Sequence, residues 1–145
     1  MEEMNINWLA LVAAAILPLV TGFLWYGPIF GKAWLKETGM TEEKAKSMNP
    51  AKTYGLAVVM AFLIAFALWP EVMIGGAPSD PHGTEAYMTF KHGAFHGALM
   101  GFIVAMPVLS TNALFEQKSI KYVAINEGYW SVTMSLLAGS INALT

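Results

Sequence analysis

From Ile6 to Tyr26 the chain runs for 21 residues without a charged side chain. That is about the ~20 residues a helix needs to cross ~30 Å of hydrocarbon. Lipid offers a backbone no hydrogen-bond partners, so a segment of this kind must satisfy its own N–H and C=O groups as a helix. Three further stretches repeat the pattern, and the predicted fold is all-α. We expect a polytopic membrane protein, one domain over residues 1–145, with four transmembrane helices at about 6–26, 53–72, 92–115 and 120–143. Composition agrees: 56% of the residues are hydrophobic and 12% charged, about half the charge of a soluble domain.

The connections are equally patterned. Gly27 to Lys52 holds five Lys and three Glu and reads as a short interfacial helical segment between the first and second spans. Pro28 suits a helix start and Gly39 its end, so Ile29 to Thr38 is expected along the membrane surface with Phe30 and Trp34 toward lipid. Thr41 before Glu42 and Glu43 is an N-cap signal for a second short helix, which Asn49-Pro50 should end. Within the first span Pro18 predicts a kink, with Thr21 or a neighbouring helix answering the freed carbonyl. Trp25 and Tyr26 close that span where amphipathic rings prefer the headgroup level. The second span is short unless it continues through Pro70, and Ala57, Ala61 and Ala65 recur at the spacing of close helix contact. Gly93, Gly97 and Gly101 form a twice-repeated GxxxG, a helix-packing face. Glu116 to Lys121 should be a tight turn, making the last two helices an antiparallel hairpin. Seven of the eight Lys lie in the first and third loops. The positive-inside rule then puts both termini outside.

Glu127 is the residue that most needs a reason, because an ionisable group at membrane depth is expensive. It lies about 9 Å along the helix axis from Lys121, at ~1.5 Å per residue. At ~100° per residue, Ser131, Ser135, Ala138 and Asn142 share its face. By counting from the loops, Asn112, Tyr26 and Tyr54 are expected at its level. Two roles stand side by side: a site handling protons or cations, or a buried carboxyl that fixes helix packing. His92 and His96 are four apart on one helix face, a geometry that lets two imidazoles share a metal. His82, Asp80, Glu85 and Glu71 are on the same predicted side. The alternative is that these histidines hydrogen-bond neighbouring helices or sit at the wet interface.

Several function classes lose support. The basic residues are all Lys, without the Arg forks of nucleic-acid binding. With no Cys there is no disulfide, thiolate nucleophile or Cys-based metal site. Ser131 and Ser135 have no His at their depth, so nucleophilic catalysis has no basis in the sequence. Met1 to Asn5 has no basic residue and does not read as the start of a cleaved signal peptide.

Asn7-Trp8-Leu9-Ala10, the run from Gly22 through Trp25-Tyr26-Gly27-Pro28 to Trp34, and Thr111 to Glu116 leading through Lys121 to Ile125-Asn126-Glu127-Gly128-Tyr129-Trp130 resemble the bacterial domain-of-unknown-function 1761 family of small integral membrane proteins. The chain departs from the family pattern at Glu127, where a small residue is usual, and in a longer second loop. The resemblance implies four membrane helices and no assigned activity or catalytic residues. We therefore expect a non-enzymatic protein of the bacterial inner membrane, without a cofactor. Its partners would be lipid, copies of itself in a homo-oligomer, or a membrane complex in which it is an accessory subunit. A small transporter or channel using Glu127 is the alternative, and a membrane metal-binding protein at His92 and His96 the third.

Overall fold

The computed structural model describes residues 6–73 and 86–145. Asp80, His82 and Glu85 lie outside them. Among the described residues all regular structure is helical: α1 (Trp8–Ala14), α2 (Leu17–Leu24), a π-helical segment (Trp25–Ile29), α3 (Gly31–Thr38), α4 (Glu42–Lys46), α5 (Pro50–Met73), α6 (Phe90–Met100), a second π-helical segment (Gly101–Ala105), α7 (Met106–Phe115) and α8 (Ile120–Leu144).

Prolines set the interruptions. Pro18 has no N–H to give the preceding turn, and α1 parts from α2 at Ala15 and Ile16. Thr21 does not answer the carbonyl this frees; its hydroxyl faces Leu17 O at 3.1 Å and shares a hydrogen bond with Thr133 Oγ1 at 3.0 Å. Pro28 lies inside the first π segment, where Phe30 N–H reaches back five residues to Trp25 O at 2.8 Å. Pro107 follows the second, where Met106 N–H donates to Gly101 O. Widening the helix relieves the clash between a proline ring and the carbonyl four residues earlier. Pro70 breaks nothing: α5 continues to Met73, held by the burial of Leu68, Trp69 and Val72 in the core. At its other end α5 begins three residues before the expected span. Pro50 takes the first helical position, and Asn49 Oδ1 accepts from Lys52 N–H at 3.1 Å.

Among the described residues three helices are long and apolar enough to cross a membrane: Trp8–Ile29, Pro50–Val72 and Phe90–Phe115. The fourth long helix, α8, has 25 residues but is studded with Asn126, Glu127, Ser131, Ser135, Ser140 and Asn142. Its position explains its composition. It is the hub of the bundle, packed against all three apolar rods, with Leu137, Ala138, Ile141, Thr133 and Asn142 fully buried. A helix wrapped by others can carry polar groups that a lipid-facing one cannot.

Candidate functional site

The α6–α8 seam sets the depth of every polar group. α8 runs antiparallel to α6, and the glycine stripe lies flat on it. A Cβ at Gly93 would strike the Ala138 carbonyl, one at Gly97 the Met134 carbonyl, and one at Gly101 would come within 2.8 Å of Ser131 Cα. Asn112, eleven residues beyond Gly101, is exposed, and no hydrogen bond joins it to Glu127 among the described residues.

Of the residues expected around Glu127, only Ser131 reaches it, donating its hydroxyl to Oε1 at 2.6 Å. Oε2 is buried and has no hydrogen-bond partner among the described residues. Tyr26 turns elsewhere: its hydroxyl donates to Asn126 Oδ1 at 2.8 Å, and Asn126 Nδ2 in turn donates to Tyr122 O at 2.8 Å. Trp25, expected beside it at the headgroup level, likewise points inward and donates Nε1–H to Ile125 O at 2.9 Å. Gly128 makes room for that indole, since a Cβ there would lie 2.8 Å from the ring. Tyr129, not singled out from the sequence, is buried and donates to Pro18 O at 2.9 Å, tying the kink of the first rod to the hub.

The His92 and His96 rings meet at a tilt of 56° with 4.6 Å between centroids, and Tyr87 meets His92 edge-on at 5.2 Å. Among the described residues no third carboxylate, imidazole or thiol joins them, and His82 is outside those residues. The same end of the bundle is laced by amides: Asn142 Nδ2 donates to Tyr87 O at 2.6 Å and Thr89 O at 2.9 Å, and Asn7 Nδ2 to Leu144 O at 2.9 Å.

At the opposite end α3 does not lie with its aromatic residues outward. Trp34 packs edge-on against Tyr26 at 5.4 Å, and Phe30 against Trp25 at 4.7 Å. Gly39, in the left-handed region at φ 67°, ends α3, and Thr41 caps α4 by accepting from Lys44 N–H at 3.2 Å. Glu37 of α3 accepts from the Ser119 hydroxyl and pairs with Lys121 at 3.9 Å. These contacts hold α3 and α4 over a cleft of about 960 Å³ between α2 and α5. Tyr26 and Tyr54 stand on its two walls, Lys44 and Ser47 at its loop end, and Leu19 and Ala57 further in. The sequence carried no signal for it, because its walls come from segments that meet only in the fold.

No curated protein and no solved structure matches the chain. Residues 9–141 match the model of the family described as protein of unknown function (DUF1761), and the chain belongs to that family.

Proposed function

We propose that this is a small non-enzymatic protein of the bacterial inner membrane, crossing it four times with both termini outside, and acting as a homo-oligomer or as an accessory subunit of a membrane complex. The observation that carries this reading is how the interior polar groups are used. Tyr129, Trp25, Tyr26 and the Thr21–Thr133 pair all tie the first rod to α8. Such bonds contribute roughly 0.6–2 kcal/mol each inside a membrane and define a single packing. A fourth crossing by α8 is supported by its 25 residues, about 37 Å at ~1.5 Å per residue, and by its antiparallel course against α6. The Lys distribution supports the orientation.

Because the glycine stripe is consumed within the protomer, association would use the outer apolar face of the third rod, where Phe95, Phe102 and Ile103 are exposed. The test is the mass of the protein extracted in mild detergent, with its bound metal measured in the same sample. More than one chain, or a stoichiometric companion protein, is expected; a bare monomer would remove the subunit reading. A cysteine at Ser79, outside the described residues, should be labelled from outside intact cells and one at Lys46 should not. The opposite labelling inverts the orientation.

One observation favours a second reading, a small transporter or channel. Glu127 Oε2 is buried without a hydrogen-bond partner among the described residues, an arrangement that fits a group waiting for a proton or cation. Glu127→Gln keeps shape and hydrogen bonding while removing titration, whereas Glu127→Leu removes both hydrogen bonding and titration. If the carboxyl only fixes packing, Gln preserves thermal stability and Leu does not. If it carries flux, Gln folds normally yet abolishes pH-dependent transport in reconstituted vesicles.

A further inference from the structure

We propose that the cleft between α2 and α5 binds one anionic phospholipid of the host bilayer, with acyl chain along the two helices and phosphate beside Lys44. The cleft's polarity is ordered along the membrane normal. Lys44, Ser47 and the two tyrosines Tyr26 and Tyr54 line its loop end, and Pro18, Leu19 and Ala57 its inner part. From Gly27 to Pro18, both on its wall, the helix advances about 14 Å. That matches the hydrocarbon depth of one leaflet, half of ~30 Å. The volume of about 960 Å³ is at the large end of small-molecule sites.

Charge points to the sign of the headgroup. Residues 27–52 carry five Lys against three Glu, and two of those carboxylates are engaged, Glu42 with Lys46 at 3.6 Å and Glu37 with Lys121 at 3.9 Å. Lys44 has no carboxylate partner among the described residues, and its ammonium stands at the mouth of the cleft. A lysine so placed attracts an anionic headgroup by about fivefold in affinity. The distribution also argues against other occupants. A peptide lying in the inner part would leave its backbone unsatisfied against apolar walls, and a free anion would leave that part unfilled.

The test uses the full-length protein, stripped of lipid in detergent and titrated with phosphatidylglycerol, phosphatidylcholine or inorganic phosphate. Native mass spectrometry counts bound lipid, and thermal unfolding reports stabilisation. One phosphatidylglycerol per chain is expected, held about tenfold more tightly than phosphatidylcholine, with no stabilisation by millimolar phosphate alone. Lys44→Gln should reduce that preference about fivefold. Ala57→Phe, which fills the inner part, should remove binding of both lipids while leaving the unfolding temperature of the lipid-free protein unchanged. Met48→Trp, at an exposed position on the cleft wall just after α4, does the same from the loop side if Ala57→Phe fails to fold. Equal retention of the two lipids, insensitivity to Lys44→Gln, full retention in both filling variants, or stabilisation by phosphate alone would each overturn the proposal. None of these outcomes depends on whether the chain is a subunit of a larger assembly.

Discussion

Two seams between neighbouring rods have opposite characters. Where the third rod meets α8, Gly93, Gly97 and Gly101 each lie against the backbone of the facing helix, and the contact is closed from Gly93 to Gly101. Along the first rod and α5 the alanine stripe behaves differently at its two ends. Ala61 and Ala65 are buried, but Ala57, in the same series, opens onto the cleft. A small residue at every fourth position permits close approach; it produces it only where the opposing helix also presents a backbone at that level. At Ala57 the opposing wall carries Phe23 and Tyr26, and α3 and α4 are wedged across the gap.

The difference can be broken from the closed side first. Gly97→Leu should cost more than about 3 kcal/mol, because the new side chain has only the Met134 carbonyl to move into. Leu99→Ala, on an exposed face, should leave thermal unfolding in detergent nearly unchanged; similar losses for both would mean the α6–α8 seam is not closed. Next in size, Ala65→Leu, at a position with no exposure, should cost about 1–3 kcal/mol by overpacking, whereas Ala57→Leu should stay within about 0.5 kcal/mol. Equal costs would show that the cleft collapses in solution. Tyr129→Phe removes the closer of the two hydroxyls that reach the Pro18 carbonyl, leaving Thr21 Oγ1 at 3.3 Å, and should lower stability by about 1 kcal/mol, measured by denaturation in mixed micelles. The smallest effect belongs to Lys121→Ala. Its pairing with Glu37 spans an exposed ammonium, and less than about 0.5 kcal/mol should be lost, diminishing further as salt is added.

Much of this was open to reading. The apolar runs place the four long helices to within a few residues. The spacing of Gly93, Gly97 and Gly101 marks a packing face, and Thr41 and Gly39 mark a local start and stop, because each of these depends on residues within one or two turns; Pro28, expected to open a helix, lies instead inside the widened turn that ends the first rod. What was hidden depends on partners far along the chain. An amphipathic ring such as Trp25 suits a headgroup or a neighbouring carbonyl equally well, and only the position of Ile125 and Gly128 decides between them. Asn112 and Glu127 each lie six residues from a loop lysine, Lys118 and Lys121, yet no hydrogen bond joins them among the described residues. Glu127 itself is conspicuous in the sequence, but its pairing with Ser131 rather than with another helix follows from the way α8 is enclosed.

The widened turn from Gly101 to Ala105 has a consequence for the third rod as a whole. One extra residue in a turn rotates everything after it by about 100° relative to an unbroken α-helix. The rod is therefore out of phase with itself: the stripe that α6 turns toward α8 does not continue down α7. There Ala113 is buried, while Val108, Leu114 and Phe115 stand outward. A single span can in this way address two neighbours from its two halves, one inside the protomer and one outside it, with Pro107 holding the offset in place.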